Sequence, residues 1–218
     1  MDYSQSKINR VKRGAKRANY DVDTINAILD AGFIGHVAYN YQGTAISIPM
    51  AYGRKGNTII LHGSIANRML TSLLEVEQMS MTVMHLDALV LARSGFHHSV
   101  NYRSATLFGS VKKIEEKEAK NEALFVFMEH MMKGRWDNIR EMNQEEFDRT
   151  LVVEMTIETA SAKIRDVGVG DEPEDQDLEV WAGLVPIKQI AEYPIPDAGK
   201  PEKMEIPKHV LDFYNANQ

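Results

Sequence analysis

The run Ile60-Leu61-His62-Gly63-Ser64-Ile65-Ala66-Asn67-Arg68 concentrates groups suited to holding an anion. An apolar, strand-like stretch ends, Gly63 permits a sharp turn, and the Ser64 hydroxyl stands where it can cap a following helix. The first turn of such a helix offers free backbone N–H groups and the positive end of its dipole. Arg68 lies about one turn beyond Ser64, so its guanidinium can fork onto the same anion. This spacing predicts a phosphate cradle. The competing reading is an ordinary capped helix carrying a surface arginine.

Three other segments bear on the same chemistry. In Ser47-Ile48-Pro49-Met50-Ala51-Tyr52 the proline has no N–H for a ladder, which puts its strand at an edge or a discontinuity. Backbone groups there face either a ligand or solvent. Asn101-Tyr102-Arg103-Ser104-Ala105-Thr106 sets small hydroxyls along one face of a long strand. Inside a barrel they need partners, such as a ribityl chain or water; on an outer face they meet solvent. Trp181, in Val180-Trp181-Ala182-Gly183, either stacks on a planar cofactor or fills a core.

Other chemistries fit poorly. With no cysteine, the chain has no disulfide, thiolate zinc site, iron–sulfur cluster or cysteine nucleophile. Ser94-Gly95 and Gly63-Ser64 do not make the Gly-x-Ser-x-Gly elbow of a hydrolase. His97 and His98 are adjacent, so on a strand they point to opposite faces and do not share a metal. Gly168-Val169-Gly170 lacks the third glycine of a dinucleotide fingerprint and runs into acidic residues.

The elements that position these residues follow from periodicity. A short helix is expected over 24–31, then strands over 33–39, 44–52 and 58–62, and a helix opening at Ser64 with Met69, Leu70, Leu73 and Leu74 on its buried stripe. Strands follow at 79–85 and 88–92, a long one at 102–114, a helix over 116–132 and a last long strand over 151–163. The proline-rich tail should be extended, with one short helix after Pro207. Strands with a few interspersed helices and no strict βαβ alternation read as a mainly β, α+β fold, a β-barrel with peripheral helices. One domain is expected over 1–218, with its core at about 20–190 and a tail at 191–218.

Net charge is −6 over 218 residues, which argues against nucleic acid as a partner. Lys7, Arg10, Lys12, Arg13, Lys16 and Arg17 run the other way, as a nucleic-acid arm, an anion-binding arm or a solvated helix face. The acidic run from Asp171 to Glu179 reads as an exposed loop. No apolar stretch approaches the ~20 residues that span a bilayer, and the first residues lack a signal-peptide core, so a soluble cytoplasmic protein with no membrane partner is expected.

Taken in order, several motifs resemble the pyridoxamine 5′-phosphate oxidase-related flavoproteins, most closely the flavin-nucleotide-binding branch that includes the nitroimidazole-resistance proteins. They are Lys12-Arg13-Gly14 with Arg17-Ala18-x-Tyr20-Asp21, Pro49-x-x-Tyr52, Leu61-His62-Gly63-Ser64 with Asn67-Arg68, Tyr102-Arg103-Ser104 with Phe108-Gly109, Ala162-Lys163-x-Arg165, and Trp181-Ala182-Gly183 with Pro186. The resemblance implies a split β-barrel of the FMN-binding type, forming a homodimer with FMN in grooves between subunits. It implies that Ser47, Ile48, Pro49, Met50 and Tyr52 line the isoalloxazine, that Leu61 and His62 run along the cofactor, and that Asn67 and Arg68, beside Ser64, hold its phosphate. It places Ser104 near the flavin and Trp181 beside the ring. His62 becomes the candidate catalytic residue, and with Tyr52 it would shape the pocket for a small planar electron acceptor. A proton donated from His62 fits its ordinary pKa. After Trp181 the chain reads Ala-Gly-Leu-Val-Pro-Ile, without the Arg-x-His element that holds the oxidase's substrate phosphate, which argues against vitamin B6 oxidation. The alternatives are a flavin storage protein without turnover, or a haem or F420 binder on the same barrel.

Overall fold

Alternating apolar residues lay down the sheet. Along β2 (Ile34–Tyr41), Val37 and Tyr39 point inward while Ile34, His36, Ala38 and Asn40 face out. The computed structural model describes residues 1–199 and 205–218. The remaining strands are β1 (Ala18–Asn19), β3 (Thr44–Ala51), β4 (Gly53–Lys55), β5 (Thr58–Ser64), β6 (Gln78–Leu91), β7 (Ser99–Lys113), β8 (Thr150–Arg165) and β9 (Gly183–Pro186). The helices are α1 (Val22–Asp30), α2 (Arg68–Val76), α3 (Lys117–Met131), α4 (Gln144–Asp148) and α5 (Lys208–Ala216).

The sheet runs β3-β2-β6-β7-β8-β5-β4, with every neighbouring pair antiparallel. Two long strands change partner partway. The first half of β6 pairs with β2 and its second half with β9. The first half of β8 pairs with β5, while Ala162 and Lys163 near its end pair with β1. This exchange makes the split β-barrel, a mainly β fold with helices at its periphery.

Inside the barrel, Leu61, Leu107, Met155 and Ile157 meet Ile25, Ile28 and Leu29 of α1 and Met69, Leu70 and Leu73 of α2. Each such side chain contributes ~1.5–3 kcal/mol by leaving water. The cap of α1 is Asp21, whose carboxylate accepts from the Thr24 amide at 2.8 Å. A smaller cluster outside the barrel seats α3, with Leu124 and Phe127 over Ile60 and Val152.

Three expectations need correction. Strand β6 is continuous, not two strands at 79–85 and 88–92. The ladder with β7 shifts between Leu86 and Ala88, and that extra residue interrupts the alternation. Residues 183–186 form β9 on the second half of β6, a strand that the periodicity did not anticipate. The helix after Pro207 is α5; Pro201 lies outside the described residues. The acidic run is not uniformly solvated either. The Asp171 side chain is only 3% exposed and accepts from the Arg93 amide at 3.0 Å and from Arg93 Nη1 at 2.8 Å.

Candidate functional site

The turn from β5 into α2 is built differently from the pattern expected at Ser64. Strand β5 stays paired with β8 as far as Ser64, which lies opposite Thr150. The chain then turns, and Asn67 is the cap, its side-chain oxygen accepting from the Leu70 amide at 3.1 Å. Ser64 instead closes the turn, accepting from the Ala66 amide at 3.2 Å through its hydroxyl and from the Asn67 amide at 2.9 Å through its carbonyl. Two amides of the first turn, those of Arg68 and Met69, are left over.

Arg68 is the first residue of α2, and its guanidinium lies 4.5 Å from the centroid of the Tyr41 ring. Tyr41 ends β2, so the cation bridges α2 to the β2–β3 hairpin. The Tyr39 hydroxyl is buried without a well-formed hydrogen bond, although it lies near enough to favour the charge on Arg68. Beyond the hairpin runs β3, an edge strand of the sheet path, as Pro49 predicts. Ser47 and Pro49 face outward, opposite Ala38 and His36 of β2. Ile48 and Met50 face inward and pack on the core.

The outer face continues across the sheet. His36 pairs with Thr82, Thr82 with Thr106, and Thr106 with Ser161. Thr82 and Thr106 join hydroxyls at 3.2 Å. One row further on, Ser104 sits between Met84 and Lys163 and donates to the Lys163 carbonyl at 3.2 Å. Its hydroxyl is satisfied within the sheet. Trp181 is 66% exposed, and its indole lies over Gly183, where a Cβ would stand 2.9 Å from the ring. Trp181 is therefore not a core tryptophan.

Three expected site residues are placed elsewhere than anticipated. Tyr52 is fully buried, and its hydroxyl donates to the carbonyls of Leu29 at 2.6 Å and Gly32 at 3.0 Å. Burial pushes its pKa well up, so its side chain holds α1 to the barrel and shapes no pocket. Leu61 is 1% exposed and points into the core, which leaves only its backbone for a ligand. His62, on the opposite face of β5, sits edge-on to Phe127 with centroids 4.3 Å apart. Burial lowers its pKa, and its Nδ1 is buried without a partner. The ring is thus neutral at neutral pH, not a ready cationic acid.

The profile of the family described as pyridoxamine 5′-phosphate oxidase matches residues 21–164. The chain belongs to that family. Among solved structures, a flavocytochrome from Azotobacter vinelandii is 34% identical with a TM-score of 0.90, covering 95% of this chain and 97% of its own. An FAD and haem binding protein from Mycobacterium smegmatis is 28% identical with a TM-score of 0.86, covering 91% of this chain and 97% of its own. A Bacteroides thetaiotaomicron protein named for 5-nitroimidazole antibiotic resistance shares the fold at 21% identity and a TM-score of 0.57, over 67% of this chain and 86% of its own. No curated protein matches the sequence.

In this pyridoxamine 5′-phosphate oxidase family member, Ser64, Asn67 and Arg68 come together at one turn. Ser47, Pro49 and Ser104 share the outer face of one sheet. Trp181 stands just before β9, the strand that pairs with the second half of β6. Sequence reasoning missed Tyr41, the platform for Arg68, and His36, the outward imidazole opposite Pro49. The alternation of β2 carries the signal for His36; nothing local in the sequence pairs Tyr41 with a residue so far along the chain.

Proposed function

We propose that the protein binds a flavin nucleotide, with FMN as its working form, between two copies of the chain in the cytoplasm, and that it passes electrons to a small planar acceptor. The observation that carries this reading is the first turn of α2, with its two unpartnered amides and Arg68 bridging to the hairpin of the edge strand. The residues present suit such a ligand. A phosphate dianion needs N–H donors and a cation, and Arg68, Met69 and the Ser64 hydroxyl offer both. The outward small residues Ser47, Ala38 and Pro49 leave room for a planar ring against β3. The Azotobacter vinelandii and Mycobacterium smegmatis relatives are named, respectively, as a flavocytochrome and for FAD.

When bound, the flavin supplies the electron chemistry. The chain's own part is to hold the phosphate at α2, to orient the ring along β3 and to cover it with a second copy. His62, kept neutral by burial, is a weak proton acceptor, and its part is to pack β5 against Phe127 of α3. Pyridoxamine phosphate is not the proposed substrate, since Ala182 and the β9 residues replace the Arg-x-His element after Trp181.

The test is the absorption spectrum of the purified protein with identification of the released chromophore, then anaerobic reduction and mixing with nitroaromatic and quinone acceptors. A flavin reoxidised faster by acceptor than by oxygen supports the oxidoreductase; a flavin indifferent to every acceptor supports storage; a colourless protein that fails to take up flavin ends the reading.

A second reading adds haem, because the same two relatives are named for it. His85, His98 and His130 each commit one ring nitrogen to a backbone carbonyl, an arrangement that orients an axial histidine and leaves its second nitrogen for iron, and His97 pairs with Glu172. His36 faces outward from β2, whereas His62 Nδ1 and His209 Nε2 are buried away from any bound group. A Soret band that His36→Ala or His85→Ala abolishes would support it.

A further inference from the structure

The N-terminal cations are exposed, as expected, but they do not lie on the face of a helix. Residues 15–17 form a single 3-10 turn, and the segment is pinned at both ends. Asn9 is 2% exposed and donates to the Thr159 hydroxyl at 2.5 Å and the Ala160 carbonyl at 3.0 Å. Ala18 and Asn19 then pair with Lys163 and Ala162. Between these anchors Gly14 takes a φ of +70°, and cationic side chains converge on it. A Cβ at Gly14 would lie 3.6 Å from Lys163 Nζ and 3.9 Å from Arg17 Cδ.

Arg17 in turn lies within electrostatic reach of Arg165. Burial first, and then the charge of Arg17, push the Arg165 guanidinium below its ordinary value. Arg165 is 8% exposed. Its Nη1 donates to Asn101 Oδ1 at 2.5 Å, and its Nε is buried with no partner at all. Asn101 is neutral, so nothing balances the buried charge. Among the described residues, none of Arg10, Lys12, Arg13, Lys16, Arg17, Lys163 and Arg165 forms an ion pair. The chain carries 31 acidic residues against 25 basic ones, yet none of the described carboxylates pairs here. An unbalanced buried guanidinium beside two further cations is costly unless an anion completes it.

Against this cluster lies an open cavity of about 560 Å³, lined among others by Arg10, Val11, Lys12, Ala18 and Tyr20. Its volume falls in the range of small-ligand sites. Ala18 is the β-partner of Lys163, so the cavity and the cluster are contiguous.

We propose that this junction of the N-terminal segment with β8 binds a nucleoside diphosphate, with the diphosphate on Lys163, Arg17 and Arg165 and the nucleoside in the cavity beside Tyr20. The site is distinct from the α2 turn, although Lys163 pairs with Ser104 on the sheet face that the flavin reading uses. The cations are gathered at one point and not strung along a face, which suits two adjacent phosphates better than a nucleic-acid backbone. The diphosphate has two sources, a free nucleotide or the adenylate half of a dinucleotide cofactor.

The experiment is calorimetric titration of the full chain with ADP, inorganic pyrophosphate, FMN and FAD, in wild type, in the Arg17→Ala/Lys163→Ala double variant and in Arg68→Ala. ADP and pyrophosphate should bind wild type, weaken at least tenfold in the double variant and be unchanged in Arg68→Ala. If FAD weakens with ADP in the double variant while FMN does not, the source is a dinucleotide; if FAD is unaffected, it is a free nucleotide. The proposal fails if ADP does not bind wild type at millimolar concentration. It also fails if the double variant binds ADP as wild type does, or if a single-stranded oligonucleotide binds more tightly than ADP through the same residues. Circular dichroism and thermal melting of the double variant guard against misfolding, and Arg17→Lys, which keeps the charge, should retain most of the ADP affinity.

Discussion

Two turns on the outside of this barrel gather positive charge and handle it in opposite ways. At the β5–α2 turn a single exposed guanidinium rests on the Tyr41 ring, and the Asn67 cap already uses one amide of the helix start. That turn keeps two free amides and an exposed cation but buries no unpaired charge, so it stands formed with or without a ligand. At the N-terminal turn Lys163 and Arg17 converge on Gly14, Arg17 lies within electrostatic reach of Arg165, and Arg165 is buried with only a neutral asparagine. That turn is complete only with an anion. The difference separates a site that the fold pre-forms from one where charge is held in wait, and each should respond differently to mutation.

The largest effect should come from the core under the first turn. Leu70 is fully buried inside the barrel on α2. Leu70→Ala should cost about 2–5 kcal/mol in a urea titration, through lost transfer energy and the cavity left behind. It should also loosen flavin retention, because α2 carries Arg68. The Arg17→Ala/Lys163→Ala variant should leave the urea midpoint unchanged or raised, since it removes repulsion and no packing. If the charge variant proved the less stable of the two, the N-terminal turn would be a structural brace.

Next is Arg68→Ala. Losing a charge-assisted bond to phosphate should weaken flavin binding by about 1.5–3 kcal/mol, on the order of 10- to 150-fold. Fluorescence quenching of added FMN measures it, and an unchanged dissociation constant would remove Arg68 from the cradle. Asn67→Ala comes third. Its cap bond should be worth about 1 kcal/mol of stability, read from the same urea titration, with flavin affinity falling less than in Arg68→Ala.

The sequence made the frame of this comparison legible and hid its details. Alternation in β2 and β7 is long and clean, while β8 carries an irregularity of its own opposite Phe108 and Gly109; the bulge after Leu86 breaks the period in β6, which reads as two strands. Pro49 announces an edge because a missing N–H is a local fact. The start of α2 was misread since Ser64 and Asn67 are equally good caps, and only the pairing of Ser64 with Thr150 decides between them. Tyr52 stands near Pro49 in sequence but turns inward, where the Leu29 and Gly32 carbonyls hold it. The buried charge of Arg165 becomes visible only with Asn101, 64 residues away.

The smallest effect is a pH dependence that should belong to the α3 side of the barrel and not to either cationic turn. Burial lowers the pKa of His62 and of His130, whose Nε2 donates to the Gly32 carbonyl at 3.0 Å. In the unfolded chain both return to about 6.5. Between that value and the lower folded one, the unfolded state binds more protons, so stability rises with pH there. The contribution is whole above about pH 6.5, declines as pH falls below it, and is lost once pH drops beneath the folded pKa values. Thermal melting at pH 7.5 and pH 5.5 should show the decline in wild type. His62→Gln should flatten part of it, because glutamine takes up no proton in either state. The Arg17→Ala/Lys163→Ala variant should keep the full slope, since guanidinium and ammonium groups stay charged throughout this window. A slope that vanished in the charge variant and survived in His62→Gln would place the titrating groups at the N-terminal turn and reverse the contrast between the two regions.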